Sequence, residues 1–246
     1  MRPTVASYAE RPDLAKRVGE IANPWPEFIQ HANCNRLWHV MHERFPQLQL
    51  VLYDGDMERP LGRGQTIPVR WDGTVNGLPG GVDDALERGA TLADGEANTL
   101  CAIVAVLDPA AQGRGLSSDL INGMRAAAAR AGLETLIAPV RPTLKDRYPL
   151  TPIERYVRWR RADGAAFDPW IRVHERLGGE LLAIAERSMT VEATAAEWES
   201  WTEMAFPESG DYVLPQALVP VRIDRDRDSG LYVEPNVWMR HVARGG

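Results

Sequence analysis

The sequence of 246 residues predicts an α/β fold, a mixed central sheet flanked by helices with elaborations at both ends. The run "TLCAIVAVL", Thr99 to Leu107, has almost no polar residue and reads as a strand covered on both faces. Past a glycine-bearing loop, Leu116, Leu120, Met124, Ala127 or Ala128, and Ala131 recur at helical spacing, and Gly132 supplies the stop. "LETLIAPV", Leu133 to Val140, follows as a strand, which completes a strand, loop, helix, strand unit of the parallel crossover kind. Earlier, "LQLVLYDGD" (Leu48 to Asp56) and "TIPVRWDG" (Thr66 to Gly73) both end in Asp-Gly turn signals, suggesting an antiparallel pair. One parallel crossover beside an antiparallel pair makes the sheet mixed.

The other elements follow in order. Tyr8 to Arg44 reads as helix in pieces, broken at "NPWPEF", where Pro24 and Pro26 forbid a continuous helix. "TVNGLPGGVDDALERGATLADGEAN" is a Gly- and Asp-rich connection with a short helix over Val82 to Arg88. In "FDPWIRVHERLGG" the helix punctuation is explicit, with Asp168 as N-cap, Pro169 in the first helical position and Gly178 as the stop. Thr194 and Glu197 have capping-box spacing and open "AAEWESWTEM". "ALVPVRID" and "GLYVEPNVWMRHV" read as a closing hairpin around "RDRDSG". With no internal repeat, low-complexity tract or linker, one domain is expected: a helical N-terminal segment over 1–47, a core over 48–180, and a C-terminal helix and hairpin over 181–246.

Composition narrows the function. A net charge of −6, with Lys and Arg scattered among acids, argues against a nucleic-acid partner. The charged start and the lack of any apolar run near ~20 residues argue against a secretory signal or a membrane span, so a cytoplasmic protein is expected. Cys34 and Cys101 lie far apart without ligand spacing and read as inert core thiols. His39 and His42 form an HxxH pair without a third ligand, and the alternating acids Asp224, Asp226 and Asp228 lack the glycine and glutamate of a calcium loop. No metal is expected.

The loop "LDPAAQGRGLSSDL" carries the functional signal. A glycine-rich turn between strand and helix leaves backbone N–H groups free at the positive end of the helix dipole, which suits a phosphate. No Gly-Lys-Ser or Gly-Lys-Thr follows, and Ser118 stands where a dinucleotide fingerprint needs its third glycine, so ATP and NAD both weaken as ligands.

"AVLDPAAQGRGLS" resembles the acyl-CoA-binding signature of the GNAT acyltransferase superfamily: Gln or Arg, two residues, Gly, one residue, then Gly or Ala. Gln112 and Gly115 fill the first positions and Ser117 departs from the last. The frame continues in "VHERLGG", where His174 stands four before Gly178, the place of the family's Tyr, and Gly179 replaces an aromatic. The resemblance covers about Leu100 to Glu180. It implies acetyl-CoA or another acyl-CoA as co-substrate, with pantetheine against Val106 and Leu107 and the pyrophosphate on Gly113, Arg114, Gly115, Leu116 and Ser117.

Acyl transfer from a thioester to an amine needs an unprotonated nucleophile, donors for the oxyanion and an acid for the thiolate. By resemblance His174 takes the acid's position, where an imidazole with an unperturbed pKa near 6.5 could exchange a proton at neutral pH. Tyr148, Tyr156 and water are its alternatives. Glu96, just before the central strand, is the candidate base. Trp25, Trp38, Trp71, Trp159 and Trp170 fall in segments expected around the acceptor. Arg155, Arg158, Arg160 and Arg161 form a locally basic stretch that reads as a solvated helix face or a phosphate-steering patch. The expected activity is acyl transfer, most simply of acetyl, to the amine of a small molecule in a ternary complex, since no cysteine is placed to carry the acyl group. The alternative is a GNAT-like acyl-CoA binder or sensor with altered catalytic groups; separately, acyl transfer to a protein or tRNA would need a broad acidic- or phosphate-complementary surface.

Overall fold

The computed structural model describes residues 2–243. Its elements are β1 (Pro3–Ser7), α1 (Pro12–Ala15), α2 (Trp38–Arg44), β2 (Leu50–Asp54), β3 (Arg59–Val69), α3 (Val82–Thr91), β4 (Thr99–Leu107), α4 (Leu116–Arg130) and β5 (Thr135–Val140). Then come α5 (Ile153–Tyr156), α6 (Pro169–Arg176), β6 (Glu180–Ala193), α7 (Ala195–Thr202), β7 (Gly210–Tyr212), β8 (Val221–Asp224) and β9 (Ser229–Val242). Among the described residues nine strands pair in one sheet, in the order β1-β2-β3-β4-β5-β9-β8-β7, with β6 also paired to β9. Only β4 and β5 run parallel among the described residues, joined through α4 as the crossover unit requires.

Helix α4 packs on one face of the sheet. Leu116, Leu120, Ile121, Met124, Ala127 and Ala128 bury against Leu50, Leu52, Leu100 and Leu136. The other face holds a larger aromatic core, in which Phe28 packs edge-on against Tyr232 and beside Trp198. Among the described residues no helix is long and apolar enough to cross a membrane.

Helix punctuation is as the sequence indicates. The Asp168 side chain accepts from the Trp170 and Ile171 amides at the start of α6, and Thr194 and Glu197 form a complete capping box on α7. Gly132 and Gly178 take the left-handed conformation that ends a helix.

Two strands differ from expectation, and a third forms where the sequence suggested no element. β1 lies in the segment expected to be helical. β3 begins at Arg59 rather than near Thr66, because Gly62 and Gly64 are close-approach positions instead of turn residues. A Cβ on Gly62 would sit 2.8 Å from the Val106 carbonyl oxygen, and one on Gly64 would sit 2.6 Å from the Met124 methyl. β6, "ELLAIAERSMTVEA", has a helix-favouring composition, yet it pairs with β9 from Glu180↔Arg240 to Ala193↔Gly230. The long partner strand overrides local propensity there.

Candidate active site

The site begins where β4 and β5 part. Their parallel pairing covers only Thr99↔Thr135, Leu100↔Leu136 and Cys101↔Ile137. Just beyond, the β3–β4 register passes from Thr66↔Ala102 to Gln65↔Val104, so Ile103 is an extra residue on β4. Such a bulge bends and twists its strand. β4 then continues to Leu107 with the edge facing β5 unpaired.

The resulting notch opens into a cavity of about 840 Å³. At the notch it is walled by Val106 and Leu107 and by Trp170, Val173 and His174 of α6. At one end stands the loop before α4. Gly113 and Gly115 there have φ of +73° and +79°, a backbone form in which any other L-residue is strained. This conformation turns the chain so that the amides of Gly113, Arg114, Gly115, Leu116 and Ser117 donate to no acceptor among the described residues. Five free N–H groups at the positive end of a fifteen-residue helix make an anion cradle. Gln112 folds back, its Nε2 donating to the Leu107 carbonyl at 3.4 Å.

Another part of the cavity lining is polar. Arg141 donates through Nε to both Glu234 carboxylate oxygens at 3.0 and 3.1 Å. The buried Glu234 also accepts from Tyr232 Oη at 2.8 Å and from Asn236 Nδ2 at 3.3 Å. Both of its oxygens are therefore engaged. Asp146 lines the cavity close enough to Arg141 for their charges to interact, and its buried Oδ1 has no hydrogen-bond partner. Trp25 and Trp38 supply an aromatic wall, and Arg63 reaches the cavity from β3.

Of the residues named from sequence, the structure brings Val106, Leu107, Gln112, Gly113, Gly115, Leu116, Ser117 and His174 to this one cavity. The Arg114 side chain is exposed outside the lining. Glu96 is not brought there: it is exposed in the loop before Thr99, at the closed end of the β4–β5 pair. From Thr99 to Val106 the strand advances about 23 Å at ~3.3 Å per residue, which puts Glu96 out of reach of a proton at the notch. Trp170 joins Trp25 and Trp38 at the cavity, whereas Trp71 is buried in the core and Trp159 packs on Tyr148, Tyr156 and Phe167. Arg160 and Arg161 are paired with Glu175 and Asp163 at the surface.

His174 is buried, and desolvation followed by the neighbouring His241 pushes its pKa down to about 3. With the pKa that low the neutral ring prevails near pH 7, which is at odds with an imidazole exchanging its proton near neutrality. Neither tyrosine substitutes for it: Tyr156 Oη donates to Asp168 at 2.8 Å, burial drives its pKa upward, and neither Tyr148 nor Tyr156 lines the cavity. Sequence reasoning missed Arg141, Asp146, Glu234 and His241. They come from segments between and beyond the motifs, and no local spacing marks them. Burial also pushes both thiols, Cys34 and Cys101, to higher pKa, away from the reactive thiolate.

No protein-family model matches the chain. It is 33% identical to the arginine N-acetyltransferase avaD of Aspergillus versicolor, over 97% of this chain and 93% of that protein. Among solved structures it resembles the loading GNATL domain of CurA from Lyngbya majuscula, with a TM-score of 0.60 at 14% identity, covering 99% of this chain and 98% of that one. The GphF GNAT-like decarboxylase in complex with isobutyryl-CoA superposes with a TM-score of 0.56 at 18% identity, covering 99% of this chain and 100% of that one. Those two likenesses establish the fold, and the relative matched along nearly its whole length adds the chemistry. With the notch between β4 and β5 ending on the amide cradle of α4, this chain belongs to the GNAT superfamily and is an acyl-CoA-dependent N-acyltransferase.

Proposed function

We propose that the protein transfers an acetyl group from acetyl-CoA to a nitrogen of a small arginine-type molecule. The amide cradle is the observation that carries the donor half. The pyrophosphate lies on the N–H groups of Gly113 to Ser117, beside Gln112, and the pantetheine runs along Val106 and Leu107 where β4 lacks a partner strand. The thioester then sits at the notch beside His174. An unprotonated acceptor nitrogen attacks the thioester carbon, the C–N bond forms, and the C–S bond breaks with its electron pair left on sulfur. The nitrogen loses its proton to solvent and the thiolate takes one up, giving the amide and CoA.

The acceptor half rests on the relative's substrate and on the carboxylates in the polar part of the lining. Glu234 is engaged on both oxygens, so Asp146 is the acid with a free oxygen for a cation. A buried carboxylate oxygen without a donor is costly, and a guanidinium supplies paired N–H donors. Trp25 and Trp38 give the stem of such a molecule an apolar wall.

The test is thiol release from acetyl-CoA with arginine, agmatine, Nα-blocked arginine, lysine and citrulline, whose side chain is uncharged. Turnover is expected with the guanidinium acceptors, with citrulline slower by ~10-fold or more. Asp146→Asn is expected to raise the acceptor KM by about 10–100-fold, the range of one charge-assisted hydrogen bond, and to leave acetyl-CoA affinity unchanged. Equal rates with acceptors whose side chain is uncharged would refute the cationic acceptor. Tight CoA binding without release on any amine would favour a sensor.

A further inference from the structure

Two histidines meet on the face of the sheet that carries α4 and α6. His241 sits on β9 opposite Leu136 of β5, and its Nε2 lies 2.9 Å from Nδ1 of His174. Both rings are buried, at 3% and 1% exposure, and both outer nitrogens, His174 Nε2 and His241 Nδ1, are buried without a partner. The pocket for this pair is built. A Cβ on Gly179 would lie 2.6 Å from His241 Cε1, so the glycine standing where the motif has an aromatic makes room for the second imidazole.

Two neutral rings sharing one N–H have two arrangements. If His174 Nδ1 carries the proton, its Nε2 is a lone pair and His241 Nδ1–H is a buried donor with no acceptor. If His241 Nε2 carries it, His174 Nε2–H is the donor and the unpartnered atom of His241 is a lone pair. Each arrangement leaves one buried N–H without an acceptor in the free protein, but His174 lines the cavity and His241 does not, so only the His174 N–H can gain an acceptor from a bound ligand, which favours the second arrangement. Burial, and after it the charge of Arg125 on α4, lowers the pKa of His241 to about 4, so the ring is a neutral partner for His174. No carboxylate contributes to the shift of either ring.

We infer that His241 is a positioning residue: by donating its Nε2–H to His174 Nδ1 it locks His174 in the tautomer whose Nε2–H donates into the cavity, toward the departing sulfur of the acyl-CoA. This rests on the acyl-transfer reading of the site. The donor is neutral and gives a hydrogen bond only. The thiolate leaves with its electron pair stabilised, and its proton comes from solvent.

The tautomer is read directly on the free protein, by long-range 1H–15N spectra of 15N-histidine-labelled material assigned with His174→Gln and His241→Gln. The expected pattern is Nε2–H on both rings, and a shift of the His174 Nε2–H signal on adding acetyl-CoA. Nδ1–H on His174 would overturn the proposal, as would an Nε2–H signal indifferent to acetyl-CoA in protein shown by calorimetry to bind it. Failure to bind acetyl-CoA at all would instead sink the acyl-transfer reading, with the tautomer still measured. In turnover, His241→Gln, which keeps an N–H donor, is expected to retain kcat within about 3-fold, whereas His241→Met should lower kcat by about 10–100-fold with acetyl-CoA affinity unchanged. Equal kcat in the two variants would also overturn it.

Discussion

Placing a carboxylate on the amide cradle tests the donor site most sharply. Gly115 is exposed and has φ of +79°, and an added Cβ there has no protein atom within 4 Å. The first side-chain carbon of Gly115→Glu therefore meets nothing in the protein, and the backbone cost to the free chain is that of the left-handed conformation, about 1–2 kcal/mol. The ligand feels far more. A carboxylate about 6 Å from a phosphate charge costs roughly 3 kcal/mol at an effective dielectric of ~20, and exposure to salt water about halves that. Two pyrophosphate charges bring the penalty to about 3 kcal/mol, or roughly 100-fold in CoA affinity. Gly115→Ala carries the strain without the charge and should lose only a few-fold. Calorimetry with CoA, alongside thermal unfolding of each variant, separates the two effects. Wild-type affinity in Gly115→Glu would remove the loop from the ligand site.

Three further outcomes are expected. Glu96→Ala should leave kcat and both KM values within about 2-fold, because strand geometry keeps that carboxylate some 20 Å from the notch; a large kcat loss would show that the loop reaches the chemistry. Asp146→Asn should raise only the acceptor KM, read from the amine panel. The paired histidines should also make stability acid-sensitive. Their folded pKa values lie near 3 and 4, below the unfolded value of about 6.5. The unfolded chain takes up the protons first, so this stability is complete above pH ~6.5 and falls by about 1.4 kcal/mol per pH unit for each ring toward pH ~4. Urea unfolding at pH 7 and pH 5 should show wild type losing about 2 kcal/mol more than His241→Gln; equal losses would mean the rings are not held neutral.

Much of this molecule is written locally. The apolar run of β4, the helical spacing from Leu116 to Ala131 and the glycine stop at Gly132 depend on neighbours within a few residues, so the crossover unit is legible without coordinates. The amide cradle is equally local, since Gly113 and Gly115 are the residues that allow its positive φ without strain. The Asp168 cap and the Thr194–Glu197 box belong to the same class.

The rest was decided by contacts distant in the chain. β6 has the composition of a helix and becomes a strand because β9 offers it a full ladder, and Gly62 and Gly64 belong to a strand because β4 and α4 press against them. His174 stands where the motif puts it, but its lack of charge comes from burial and from His241, 67 residues away. The polar part of the cavity gathers Arg141, Asp146 and Glu234 from separate segments, and Glu96, one loop from the central strand, is carried to its wrong end. A sequence encodes backbone conformation over short distances; which ionisable groups share a cavity, and in what charge state, depends on tertiary packing, because desolvation and Coulomb forces act through space and not along the chain.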